Sequence, residues 1–140
     1  MLVELAFLAV ENRVNLLEPV LPTKKIHVIG NEEQLYRLIS NLIINAIQAT
    51  PAEGKVTVSL EDREFYAVIK VQDTGIGIAP EHQKHIFNRF YRVDGDRSRS
   101  SGGSGLGLAI AQAIALAHKG SIHVQSQPGL GSIFTVEIPI

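Results

Sequence analysis

From Val3 to Leu17 apolar side chains recur at approximate helical spacing, and Pro19 and Pro22 end the pattern, which predicts a first helix. Ile26 to Ile29 is a short β-branched run that Gly30-Asn31 breaks, and Asn31 with Gln34 has the spacing of an N-cap and the third helical residue. A second helix starts there and runs to about Thr50, with Leu35, Leu38, Ile39, Leu42, Ile43, Ala46 and Ile47 as its apolar face. Pro51 to Gly54 reads as a turn. Val56, Val58 and Leu60 alternate with polar residues and Phe65 to Gln72 is rich in β-formers, so two strands pair through Glu61 to Glu64 and lead into Asp73. Pro80 suits the first position of a third helix over Glu81 to Asn88, because its fixed φ is already helical. Tyr91 to Ser104 mixes Arg, Asp, Ser and Gly with little apolar content and reads as a flexible loop over about 91–104. Gly105 to Lys119 is a largely apolar helix stopped by Gly120 at C′, and Ser121 to Ser126 and Ile133 to Ile138 alternate around the Pro128 to Gly131 turn as a final hairpin.

Helices and hairpins come in separate runs, without repeated strand-helix-strand crossovers. This predicts an α+β fold: a two-layer α/β sandwich whose mixed, largely antiparallel sheet is covered on one face by helices. The 140 residues fit one domain, 1–140, and with 45% hydrophobic residues the chain can bury a core of its own. Zero cysteines exclude disulfides, thiolate metal sites and a cysteine nucleophile, and fit a cytoplasmic setting. Thirteen Lys and Arg against fourteen Asp and Glu leave no broad footprint for nucleic acid or a membrane surface. Charge matters locally instead. Lys84 to Ser100 holds five basic residues and two aspartates beside a glycine-rich segment, a placement that suits a polyphosphate. No run is long enough to span a bilayer, so any membrane anchor of a parent protein is expected outside this chain.

Three stretches carry chemistry. On the second helix Gln34, Arg37, Asn41, Asn45 and Gln48 form a polar stripe at three- and four-residue steps. A solvated face explains such a stripe; however, asparagine is a mediocre helix former, and its neutral carbonyl oxygen is a suitable hard ligand for Mg²⁺ already neutralised by phosphates. Asp73-Thr74-Gly75-Ile76-Gly77 places a carboxylate at a strand end with two glycines beyond it. The carboxylate can accept from an exocyclic amine and the glycines let backbone approach a flat ligand, although a tight turn alone uses the same residues. Gly102-Gly103-Ser104-Gly105-Leu106-Gly107-Leu108 opens a helix, so free N–H groups can face an anion. The Lys-Ser/Thr ending of a phosphate loop is absent, as is a dinucleotide strand-turn-helix context.

In order, Asn41-Leu-Ile-Ile-Asn45-Ala46, Asp73-Thr-Gly75-Ile-Gly77, Phe87-Asn-Arg-Phe90-Tyr-Arg92 and Gly103-Ser-Gly105-Leu-Gly107-Leu108 resemble the N, G1, F and G2 boxes of the sensor histidine kinases. The tail, Ala117-His118-Lys-Gly120 through Pro128-Gly-Leu-Gly131-Ser-Ile-Phe134, resembles that family too. The resemblance implies the ATP-binding α/β sandwich shared with gyrase-, Hsp90- and MutL-type ATPases. It implies that ATP and Mg²⁺ bind, with Asn45 on the metal, Asp73 accepting from the adenine amine, and Gly75, Gly77 and Ile78 bordering the base. Gly103, Gly105, Leu106, Gly107 and Leu108 would form the lid hinge and phosphate cradle, and Arg92 would contact phosphate ahead of Arg89, Arg97 and Arg99. Asn41 stands where the gyrase-like relatives carry a water-activating glutamate, and its amide cannot serve as a base. The implied partners are therefore a histidine on a separate dimerisation domain of the same kinase and the receiver domain of a response regulator. Two competing functions are a nucleotide-binding docking module with little transferase activity and a hydrolytic ATPase. Phe87 and Phe90 are expected to anchor the lid base to the core.

The chain departs from the pattern in three places. Gln48-Ala49 replaces a basic residue and an aromatic common at the end of the N box, which removes a phosphate contact and a stacking ring. Pro19 to Asn31 is shorter than the usual link, which implies a truncated first edge strand. None of His27, His82, His85, His118 and His123 is followed by Glu or Asp, so the phospho-acceptor lies elsewhere. His118 is expected to cap the last turn of its helix.

Overall fold

The structure, a computed structural model, describes residues 2–91 and 106–140. The elements run α1 (Leu2–Glu11), β1 (Asn15–Leu16), α2 (Glu32–Ala49), β2 (Lys55–Arg63), β3 (Tyr66–Asp73), α3 (Pro80–Gln83), α4 (Gly107–Ala117), β4 (Ser121–Gln127) and β5 (Gly131–Pro139). The strands form one sheet in the order β1-β2-β3-β5-β4, parallel between β1 and β2 and antiparallel elsewhere.

Register explains the two layers. Val58, Leu60, Ile69, Val71, Phe134, Val136, Ile122 and Val124 pair with one another across the strands, so they share one face, and Val56, two residues before Val58, lies on the same face. Leu38, Leu42, Ile43, Ala46 and Ile47 of α2 and Ala111, Ile114 and Ala115 of α4 join them in a single core. The other face carries Thr57, Ser59, Glu61, Lys70, Gln72, Thr135 and Glu137, and a Glu61–Lys70 contact at 3.6 Å lies on it among half-exposed side chains. Covering that face with helices would bury charge, so helices pack on one side only. No helix among the described residues is long and apolar enough to cross a membrane.

The second helix begins as its sequence predicts, with the Asn31 side chain accepting from Gln34 N–H at 3.0 Å. The first differs. It stops at Glu11 rather than reaching Leu17, because Arg13 takes a left-handed φ of 56° and the N–H groups of Arg13 and Val14 turn back to Val10 and Ala9. That turn buries Val14 and sends Asn15–Leu16 alongside β2, with Val20 bridging Ser59 further along. The edge of the sheet is thus built from residues 15–20, and the β-branched run Ile26 to Ile29 forms no strand. The third helix is also shorter than predicted, ending at Gln83 with isolated turns through Asn88. At the end of α4, Lys119 and not Gly120 takes the left-handed position, φ 61°. Gly120 is required for a different reason: a Cβ there would sit 2.1 Å from the Glu137 carbonyl oxygen.

Candidate nucleotide site

Asp73 ends β3 on the helical face, paired with Val56 on one side and Ser132 on the other. It is 3% exposed. Its Oδ1 accepts from the N–H of Gly75 at 2.9 Å and of Ser132 at 3.2 Å, whereas its buried Oδ2 has no hydrogen-bond partner. Desolvation raises this carboxyl above its ordinary value of 3.8, against the smaller opposing effect of the two backbone donors. A buried carboxylate oxygen without a donor is costly, and an amine arriving from a ligand would remove that cost.

The loop after Asp73 is clamped from both sides. Ile76 N–H donates to the Ala49 carbonyl at the end of α2, and Gly129 N–H donates to the Ile76 carbonyl from the β4–β5 turn. Gly75 lies so close to α2 that a Cβ would meet the Ala49 oxygen at 2.4 Å; Gly77, at φ 75°, would meet the Gln127 oxygen at 2.1 Å. Both glycines are therefore required by the protein's own backbone before any ligand is considered. Ile78 is committed as well: its N–H donates to Ser126 Oγ at 2.7 Å and its carbonyl accepts from Gln83 Nε2 at 2.8 Å.

Asn41, Asn45 and Ala49 succeed one another by four residues and share one face of α2. Asn41 Nδ2 donates to the Gly107 carbonyl at 3.2 Å, so the first turn of α4 meets this face at one end and the Asp73 loop meets it at Ala49. Asn45 lies between, and its amide makes no side-chain hydrogen bond among the described residues. At a helical rise of about 1.5 Å per residue, Asn41 and Ala49 are roughly 12 Å apart along the axis. A Cβ added at Gly107 would have nothing within 4 Å, so its side of the first turn faces open space among the described residues. Leu106 is the N-cap of α4 without a side-chain cap bond, and Leu108 packs partly buried against the core. Arg92, Gly103 and Gly105, with Arg97, Arg99 and all of the 91–104 loop except Tyr91, lie outside the described residues.

Ser126, Ser132 and Gln83 were not singled out by their sequence. The available signal was a serine at each of two positions where strand alternation points toward the core. A groove of about 550 Å³ runs past Gln83, Ser126, Ser132 and Asp73 but includes neither Asn41 nor Asn45. Of the two F-box phenylalanines, Phe87 packs edge-on against Phe134 at 6.2 Å, but Phe90 is 64% exposed at φ 65° and anchors nothing in the core. His82 Nδ1 bonds the Tyr91 hydroxyl at 2.5 Å and the His85 ring lies 5.4 Å from the Tyr91 ring. No group of three metal-ligating side chains occurs among the described residues. His118 caps α4 through Nδ1 on the Ile114 carbonyl at 2.8 Å, and its Nε2 accepts from Asn31 N–H at 3.0 Å. One ring nitrogen thus donates and the other accepts, so the cap uses a neutral imidazole rather than a positive charge.

The geometry is thus a largely antiparallel sheet with its helices on one face and a buried carboxylate, Asp73, at the end of a central strand beside the end of α2. The chain belongs to the histidine kinase-, DNA gyrase B- and HSP90-like ATPase family, whose model matches residues 30–140. It is 55% identical over 120 residues to the sensor histidine kinase RppB of Synechocystis sp., a match covering 86% of this chain and 26% of RppB. It is 49% identical over 112 residues to the sensor-like histidine kinase SenX3 of Mycolicibacterium smegmatis, covering 80% of this chain and 29% of SenX3. Among solved structures, the catalytic domain of histidine kinase ThkA superposes with TM-score 0.82 at 25% identity over 98% of this chain and 86% of that one. Full-length ShkA in complex with AMPPNP does so with TM-score 0.82 at 27% identity over 99% of this chain and 29% of that one. The chain spans between a quarter and a third of the length of these two curated relatives.

Proposed function

We propose that residues 1–140 form the catalytic domain of a cytoplasmic protein-histidine kinase, binding Mg·ATP and passing its γ-phosphoryl group to a histidine on a separate dimerisation domain. A ring nitrogen of that histidine attacks the γ-phosphorus, the bond to the β–γ bridging oxygen breaks, and ADP departs; a response regulator receiver domain then takes the phosphoryl group. The observation that carries this reading is the unpaired, buried Asp73 Oδ2 at one end of the Asn41–Ala49 face of α2, with the first turn of α4 at the other. Roughly 12 Å of helix suits an extended nucleotide, its amine on Asp73 and its phosphates at Gly107. That ShkA was solved with AMPPNP supports the same ligand class here.

In this reading Asn45, whose amide makes no side-chain hydrogen bond among the described residues and which lies between the two ends, holds Mg²⁺, which neutralises phosphate charge when bound. Asn41 holds the start of α4 in place, and Gly107 leaves room for an oxygen that a Cβ would displace. Arg92, Gly103, Gly105, Leu106 and Leu108 complete the phosphate side, and Gly75, Gly77 and Ile78 shape the base side. The amide at position 41 cannot act as a carboxylate base, which favours transfer to a protein nucleophile over hydrolysis. The test is incubation with radiolabelled ATP and Mg²⁺, with and without a histidine-bearing dimerisation segment added in trans. Label on that segment's histidine is expected. Nucleotide binding without label would establish the docking-module alternative, and rapid multiple-turnover hydrolysis by the chain alone would establish an ATPase.

A further inference from the structure

We infer that Ser126 and Gln83 are positioning residues for the base end of the nucleotide site, acting through the backbone of Ile78 and through Ser132 on Asp73; this rests on the proposed ATP-binding role. Ser126 is the hub. Its Oγ accepts from Ile78 N–H at 2.7 Å and donates to the Gly131 carbonyl at 2.9 Å. A hydroxyl has one hydrogen, and the Gly131 carbonyl can only accept, so the 2.8 Å contact between Ser126 Oγ and Ser132 Oγ is donated by Ser132. Ser132 in turn gives its N–H to Asp73 Oδ1. Gln83 closes the arrangement from α3, where Nε2 donates to the Ile78 carbonyl at 2.8 Å and to the Ser126 carbonyl at 3.0 Å. Both amide hydrogens are used on carbonyls, so a carboxylate of the same shape could make neither bond.

The arrangement has a consequence for the ligand. Asp73 presents one oxygen to a base only because the other is held by Gly75 and Ser132. Ser132 is itself fixed by Ser126, and the strand end carrying Ser126 is held to the loop by Ile78 and Gln83. Loosening the hub widens the range of carboxylate orientations and weakens recognition of the amine, while leaving the phosphate end at Asn41 and Gly107 untouched.

The experiment is titration of the chain with ATP, ADP and AMP, with and without Mg²⁺, and with GTP, for wild type and for Ser126→Ala, Ser126→Thr, Gln83→Ala and Gln83→Glu, below each variant's melting temperature. Ser126→Ala and Gln83→Glu are expected to weaken all three adenine nucleotides by a common factor of about five to ten, the equivalent of one neutral hydrogen bond. They should also narrow the ATP-over-GTP preference, while Ser126→Thr, which keeps a hydroxyl, restores affinity. Gln83→Glu is expected to bind no better than Gln83→Ala, because shape without donors is of no use here. A Gln83→Glu variant with wild-type affinity, or a loss confined to ATP with Mg²⁺, overturns the inference. Failure of the wild type to bind ATP instead overturns the proposed function, so the two readings fail separately.

Discussion

Replacing Asp73 by Asn is expected to leave the empty chain at least as stable as the wild type at neutral pH while sharply weakening nucleotide binding. The amide oxygen can still accept from Gly75 and Ser132 N–H, so the loop keeps both bonds. What changes is the partnerless position, where a buried carboxylate oxygen becomes a buried NH₂. An unsatisfied neutral group costs about 1–3 kcal/mol, and an unsatisfied charge costs more. The sign of the pH dependence follows from burial raising the Asp73 carboxyl above 3.8. Between 3.8 and the folded value the native state binds more protons than the unfolded one, so this group's contribution to stability falls as pH rises through that window. Each unit of elevation corresponds to about 1.4 kcal/mol. Melting curves of both proteins between about pH 4 and pH 7 isolate the effect, because the difference between them should grow with pH in favour of the amide. Binding moves the other way: loss of a charge-assisted bond of about 1.5–3 kcal/mol predicts ATP affinity down by about 10- to 150-fold in calorimetric titration. A folded Asp73→Asn chain with unchanged ATP affinity, or one progressively less stable than the wild type as pH rises, would refute the assignment of Oδ2 to a ligand amine.

Three further substitutions probe the frame around the site. Gly120→Ala places a methyl group 2.1 Å from the Glu137 carbonyl oxygen, so β5 must shift; a loss of about 2–3 kcal/mol should appear in urea unfolding. Asn41→Ala removes the bond to Gly107 at a half-buried site, and is expected to lower stability by only about 1 kcal/mol while reducing phosphotransfer in the trans assay far more than ATP affinity. His118→Ala deletes both the α4 cap and the acceptor for Asn31 N–H, and should lower stability by about 1–2 kcal/mol with no change in ATP affinity.

What the sequence disclosed was whatever depends on local periodicity and capping. The Asn31 cap, the apolar face of α2, both hairpins and the helix-on-one-face layering all follow from residues close together in the chain. The misplaced first helix shows the limit: Val3 to Leu17 reads as one periodic run, but Arg13 in a left-handed turn and the pull of Val14 into the core divide it. Nothing local marks that division, since the favoured residue for such a turn is glycine and the chain uses arginine. Lys119 hides the end of α4 in the same way. The site divides along the same line. Asp73, Asn41 and Asn45 stand out by type and spacing, whereas Ser126, Ser132 and Gln83 matter only because β3, β5, β4 and α3 converge there.

The amide at position 41 shows how packing and chemistry constrain one another in this fold. In isolation, Asn41 differs from a glutamate by lacking a carboxylate, so its side chain cannot act as a general base. In the folded chain the side chain is also a donor, aimed at the Gly107 carbonyl where α4 begins. A glutamate there would set a carboxylate against that carbonyl and forfeit the bond joining α2 to α4, the helix pair that lies over the sheet. An acidic side chain at position 41 would therefore disturb the first turn of α4, the turn that the proposed function assigns to the phosphates. In the proposed function, the lack of a base and the placement of the phosphate end thus rest on one side chain. An acidic substitution at Asn41 can supply a base only by loosening that placement.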